Sequence, residues 1–273
     1  MANTRKWLFF IVIFFIIFFS NGCFNSQHPT DTKPEKSQMK VIGIIGGVSW
    51  VSSLEYYKLI NEMVRDRLGD LYSANILMYS IEFGEFSKQE RLADAGNWEP
   101  LRDTMIDAAQ RLKRGGADFI VIASNTMNST ADLINEKVKI PVLHIADATG
   151  KKINERGIKT VALLGTAYTM EQDFYRSRLE KKYGLKVIVP NKKERGYINK
   201  VIFDELCTAK FYDKSRKGFI NIINRLIKEE GVEGVILGCT EIPLLVKQKD
   251  VSIPVFDTTA IHAEAAVNHA LGK

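Results

Sequence analysis

Apolar positions along the chain follow two different periods. Short runs rich in Val and Ile occur at 41–45, 75–80, 119–123, 142–145, 160–164, 186–189, 234–237 and 255–256. Runs of that length without polar alternation predict strands buried on both faces. Between them, apolar residues recur with helical spacing at 52–68, 99–114, 130–136, 170–182, 197–207, 215–230 and 259–271. Strand and helix in alternation predict an α/β protein with mostly parallel sheets.

The pattern also repeats. "GIIGG" at 43–47 matches "ALLGT" at 162–166, "IASNT" at 122–126 matches "LGCTE" at 237–241, and "IPVLHIADA" at 140–148 matches "IPVFDTTAI" at 253–261. The offsets are 119, 115 and 113 residues, in one order and slowly shrinking, which predicts two related α/β halves. Ligands of open parallel sheets sit beyond the carboxyl ends of strands. Halves facing one another across a pseudo-twofold axis would therefore bring Ser124 and Cys239 to opposite walls of one cleft.

The N-terminus breaks this pattern. Arg5 and Lys6 precede an unbroken apolar run at 7–19, too short for the roughly 20 residues that span a bilayer but suited to a signal peptide at 1–22. "SNGC" ends that segment and resembles the lipobox of bacterial lipoproteins, with Cys23 as the lipidated residue. The polar, proline-containing stretch 23–39 reads as a tether. These features predict an exported, membrane-anchored lipoprotein, periplasmic or at the cell surface, held to the membrane through its N-terminal lipid.

Composition adds exclusions. The net charge is +6, and removal of Arg5 and Lys6 with the signal segment leaves +4, without a dense basic block interleaved with aromatics. Nucleic acid is therefore not an expected partner. Of the three cysteines, Cys207 and Cys239 fall in the globular part, outside any metal-ligand spacing, so no metal site is expected. Cys207 reads as a small buried hydrophobe, although a disulfide with Cys239 would be possible in an oxidising compartment.

The strand-end loops hold the candidate chemistry. "GIIGGVSW" lacks the GxGxxG order of a dinucleotide site, and small residues there either let amides approach a carboxylate or simply pack a tight turn. "SNT" at 124–126 reads as a helix cap or as a set of ligand donors. Cys239 at the end of its strand, near helix amides, is expected to have a lowered pKa. Ser124 needs a partner to act as a base; His144 and His262 are the candidates, each also suited to a local hydrogen bond. No GxSxG elbow surrounds Ser124, which disfavours a serine hydrolase.

Taken together, "GGVSW" at 46–50, "NTM" at 125–127, "HIADATG" at 144–150, "LLGTAYTMEQDFYR" at 163–176 and "GCTEI" at 238–242 resemble the aspartate/glutamate racemase family. The resemblance covers 41–270 and is closest to a branch selective for the L substrate. It implies two Rossmann-like (flavodoxin-like) domains, 40–144 plus 258–273 and 145–257, with the active site in the cleft between them. It also implies a homodimer and cofactor-independent exchange of the α-proton of L-aspartate or L-glutamate.

By that resemblance Cys239 is the base on the L side and Ser124 stands where the family carries its second cysteine. Gly47, Ser49, Trp50, Asn125, Thr126, Thr166 and Thr240 would bind the substrate. Asn128 replaces the histidine that usually follows "NTM", and asparagine exchanges no proton near neutral pH. Tyr168 and Arg176 are candidates for the distal carboxylate. Two other functions remain open from the sequence: a single-cysteine decarboxylase of the same superfamily, and an amino-acid-binding lipoprotein with weak catalysis.

Overall fold

The computed structural model describes residues 39–272. The expectations for the signal segment, Cys23 and most of the tether fall outside those residues. Among the described residues, no helix is long and apolar enough to cross a membrane.

In chain order the elements are β1 (Ile42–Gly46), α1 (Trp50–Leu68), β2 (Ile76–Ser80), α2 (Phe83–Asp94), α3 (Glu99–Arg114) and β3 (Phe119–Ile122). After a 3-10 turn at Thr126–Thr130 come α4 (Ala131–Val138), β4 (Val142–Leu143), α5 (Ile145–Glu155), β5 (Thr160–Gly165), α6 (Ala167–Glu171) and α7 (Asp173–Tyr183). The chain continues through β6 (Lys186–Ile188), α8 (Lys192–Asp204), α9 (Asp213–Glu230), β7 (Gly234–Gly238), α10 (Ile242–Leu245), β8 (Val255–Asp257) and α11 (Thr258–Ala270).

The strands form two four-stranded sheets, ordered β2-β1-β3-β4 and β6-β5-β7-β8, parallel throughout. The second order repeats the first with each strand replaced by its partner from the sequence repeat. β1, β3 and β7 are buried along their whole length, as Val/Ile runs covered by helices on both faces must be. Their buried apolar area is the main stabilising term of each half.

The helices bury one stripe each. On α3 the stripe is Leu101, Met105, Ala108, Ala109 and Leu112, and on α9 it is Phe219, Ile222, Ile223 and Leu226, both with the 3.6-residue period. The terminal helix α11 packs Ala263, Ala266, Val267 and Ala270 into the core of the first sheet, with Ile44, Tyr56 and Phe119. It thus caps a half that the chain left more than a hundred residues earlier.

Three departures from the sequence reading matter for the cleft. First, α2 is a helix where none is expected, because it buries only Phe86 and Ala93 and so shows little apolar period. Its start is fixed instead by Glu82, whose carboxylate accepts from the Gly84 and Glu85 amides, a charged cap on the positive end of the helix. Second, α5 begins at Ile145 with His144 as its cap. Its small residues hide the helix in the sequence: Gly150 lies so close to Tyr183 that an added Cβ would sit 2.5 Å from the ring. Third, the single helix expected at 170–182 is two, α6 and α7, separated by extended Gln172 (φ −85°, ψ 148°). α6 is tied to the cleft through Thr166 and Thr169, whereas α7 is anchored in the core by Tyr175 and Leu179.

Candidate active site

In a parallel sheet whose order reverses between neighbouring strands, the loops leaving those strands part and open a crevice. Each half has such a point, between β1 and β3 and between β5 and β7. The two crevices share one cleft, and contacts across it are exchanged as a pseudo-twofold requires. The loop after β1 meets the loop after β7 through Ser49 and Glu241. The loop after β3 meets the loop after β5 through Thr126, Thr166 and Thr169.

The cleft has a volume of about 170 Å³, many times the ~10–15 Å³ that one water needs. That is room for a small molecule. Ser49, Ser124, Asn125, Thr126, Thr166, Cys239 and Thr240 all line it, as expected from the strand-end rule. Two other expected residues do not. Trp50 opens α1 and is 60% exposed, away from the lining. Gly47 shapes the loop: its φ is +90°, an added Cβ would meet the Ile81 carbonyl at 2.0 Å, and its amide donates to Ser53 Oγ at 2.8 Å. Glycine is required there by backbone geometry and close approach.

At the end of β7, one carboxylate collects three side-chain donors. Ser49 Oγ donates to Glu241 Oε1. Cys239 Sγ donates to Glu241 Oε2 at 3.0 Å, and Thr240 Oγ1 donates to the same oxygen at 2.8 Å. Glu241 is 2% exposed, so these hydrogen bonds replace the water it has lost. They also fix the thiol's orientation. Burial, and next the Glu241 charge, push the Cys239 thiol well above its ordinary range. This reverses the expected lowering: negative charge and burial oppose thiolate formation here more strongly than strand-end amides favour it.

At the end of β3, the polar atoms serve the backbone. Ser124 Oγ accepts from the Met127 amide at 3.3 Å. Asn128 donates to the Ile122 and Ser124 carbonyls at 3.2 and 2.7 Å and accepts from the Ile145 amide at 3.0 Å. It clamps the loop to the start of α5 and bonds Ser124 through its carbonyl, leaving the hydroxyl alone. Asn125 donates to Thr258 Oγ1 at 3.0 Å, while its Oδ1 is buried without a partner among the described residues. A buried acceptor without a donor is costly, and in a cleft wall it is suited to a ligand N–H.

Neither histidine joins the lining. His144 caps α5, accepting from the Ala146 amide at 3.1 Å. His262 lies between Tyr56 Oη and the Leu143 carbonyl, 2.8 Å from each. A carbonyl can only accept, so Nε2 carries the proton and Nδ1 accepts from the tyrosine. Burial lowers the pKa of His144 to about 3 and of His262 to about 4. Both are neutral structural groups at neutral pH. Arg176 pairs with Asp173 and is absent from the lining, whereas Tyr168 belongs to it.

The residue that sequence reasoning passed over is Glu241. It stands inside the quoted "GCTEI", and the signal was its place next to a strand-end cysteine, where a carboxylate has no reason to be buried unless paired. Cys207 also lines the cleft instead of serving only as packing, and burial followed by Glu241 and Glu90 raises its thiol pKa.

Comparison with known proteins gives this geometry a family. The model for the Asp/Glu/Hydantoin racemase family matches residues 45–266. The chain belongs to the Asp/Glu/Hydantoin racemase family. The fold superposes on a crystal structure from Yersinia pestis, provisionally assigned as an Asp/Glu racemase, with a TM-score of 0.77 and 47% identity over 85% of this chain and 100% of that one. An aspartate racemase homologue from Pyrococcus horikoshii OT3 gives 0.74 and 40%, over 85% and 99%. RacX of Bacillus subtilis, named a broad specificity amino-acid racemase, is 24% identical over 84% of this chain and 97% of its own. The two solved structures share the fold of this chain, and the cleft described here lies between the strand-end loops of its two sheets.

Proposed function

We propose that the cleft exchanges the α-proton of an amino acid without a cofactor, with Cys239 acting on the L enantiomer and Ser124, or a water it holds, serving the other face of Cα. The observation that carries this reading is the Cys239–Glu241 pair. A thiol held at 3.0 Å from a buried carboxylate has both a fixed direction and a group positioned to share its proton. As a thiol it can protonate a carbanion; to abstract a proton it must first become the thiolate.

Hydroxyls of Thr126 and Thr166 supply donors for charge that builds on the substrate carboxylate as the α-proton leaves. The orphaned Asn125 Oδ1 is suited to the α-ammonium group. The acidic substrates implied by the resemblance, L-aspartate and L-glutamate, have no Lys or Arg among the lining residues to receive a second carboxylate. The N-terminal segment supports export and lipid anchoring through Cys23 as the setting for this activity.

The test is deuterium incorporation at Cα from D2O, followed by proton NMR for both enantiomers of a panel of amino acids, with the unmodified chain and Cys239→Ala. Exchange starting from an L-amino acid, yielding D product and lost in the variant, is the expected result. Exchange that persists in Cys239→Ala would remove the cysteine from its role, and exchange from no amino acid would favour a binding function.

A further inference from the structure

The side of the cleft lined by α2 has a charge pattern of its own. α2 contributes Glu90 and Asp94, one helical turn apart and so on one face. Among the described residues neither forms a salt bridge, and Glu90 is only half-exposed. An unpaired carboxylate in such a position is unusual, since buried acidic groups are generally paired.

The carboxylates that line the cleft come from two places in the fold, Glu241 from the loop after β7 and Glu90 and Asp94 from α2. Glu241 acts on both Cys239 and Cys207, Glu90 acts on Cys207, and Asp94 acts on Glu90 and Tyr168. The same lining includes the apolar side chains Phe83, Leu101, Ile202 and Phe203. The rings of Trp98 and Tyr168 meet at 5.2 Å near the carboxylates. Arg102, stacked 5.8 Å from the Trp98 ring centre, is not part of the lining.

We propose that this side of the cleft receives a positively charged group, so that the substrates are amino acids with a cation at the end of an apolar stem, the lysine, ornithine and arginine class. The proposal rests on the amino-acid reading of the catalytic side. The stem lies along the apolar walls, the cation between Glu90 and Asp94, and the aromatic faces add attraction for it. A substrate with a second carboxylate brings like charge to the same place. Burial, with Asp94 next, raises the Glu90 pKa to about 7; a bound cation would hold that group ionised.

Calorimetric titration of the full chain with L-lysine, L-glutamate and the uncharged L-norleucine tests the charge preference. L-Lysine is expected to bind at least about tenfold more tightly than L-glutamate, a difference of ~1.4 kcal/mol. In Glu90→Gln/Asp94→Asn, the ratio of lysine to norleucine affinity should fall toward one, and Asp94→Asn alone, at the exposed end of α2, should move it part of the way. Glutamate binding as tightly as lysine, no binding of lysine, or an unchanged ratio in folded variants would each overturn the proposal. The same samples in D2O report α-proton exchange separately. Lysine preference without exchange would sink the racemase reading and leave the charge assignment standing; exchange with glutamate preferred would do the reverse.

Discussion

The loops after β3 and β7 are copies in sequence position and in exposure: Ser124 and Cys239 are each 7% exposed and each line the cleft. Their hydrogen bonds differ in kind. In the first loop, Ser124 and Asn128 are occupied by main-chain groups, the Ile145 amide at the start of α5 among them. In the second, Cys239 and Thr240 bond to a carboxylate that also holds Ser49 of the other half. One wall spends its polar atoms on keeping a turn in place, and the other links titratable side chains to each other. A duplicated fold thus conserves where a side chain sits without conserving what it is bonded to.

The strongest way to break this comparison is to remove the thiol. If Cys239 is the group that exchanges protons on the L side, Cys239→Ala should lower exchange from the L substrate by ~10²–10⁴-fold, measured by NMR in D2O. Equal loss on substituting Ser124 by alanine would mean that the two walls share the work evenly.

A second contrast concerns the histidines behind the walls. His262 has a folded pKa of about 4, below the ordinary ~6.5, so the unfolded chain takes up the proton first. Its contribution is present above pH ~6.5 and is lost as the pH falls toward 4, by ~3 kcal/mol across that window. Chemical denaturation at a series of pH values should show the loss, and it should shrink in His262→Gln. A rate profile that titrated with His262 would instead make it the missing base for Ser124.

Glu241→Gln sharpens the comparison from the other wall. It keeps the volume and removes the charge from a hydrogen bond of the kind worth ~1.5–3 kcal/mol, so kcat should fall by about 10–100-fold. Removing the negative neighbour also lowers the Cys239 pKa toward its ordinary range, so the limb of the pH–rate profile set by the thiol should move to lower pH. A fall in rate without that movement would leave Glu241 a purely structural bridge. The smallest effect is expected at Ser124→Ala, where one long hydrogen bond to the Met127 amide is lost. Denaturation should register ~0.5–1.5 kcal/mol.

Much of this molecule was legible in the chain. Each of the eight expected strands is present, with ends displaced by a residue or two, because buried parallel strands need continuous Val/Ile runs that little else in a sequence imitates. The repeat offsets foretold two related α/β halves, and the two sheets share one strand order. α2 was not legible, since two buried residues on an otherwise polar helix leave no period to detect, and with it went Glu90 and Asp94. The two-part α6/α7 was read as one helix, and the bonds that hold the start of α6, from Thr166 and Thr169 to Thr126, reach across 40 or more residues.

By itself, then, the sequence determined the strands, the duplication and the polar strand ends at which Ser124 and Cys239 stand. All follow from local pattern, where each residue's preference can be read beside its neighbours. Only the tertiary structure decided what those strand ends can do. The thiol's proton affinity depends on burial and on Glu241, the Glu241 carboxylate depends on Ser49 from the other half, and the cleft's other carboxylates depend on a helix without a signature. Each is an interaction between groups distant in the chain, and electrostatic energy is set by separation and surroundings in space.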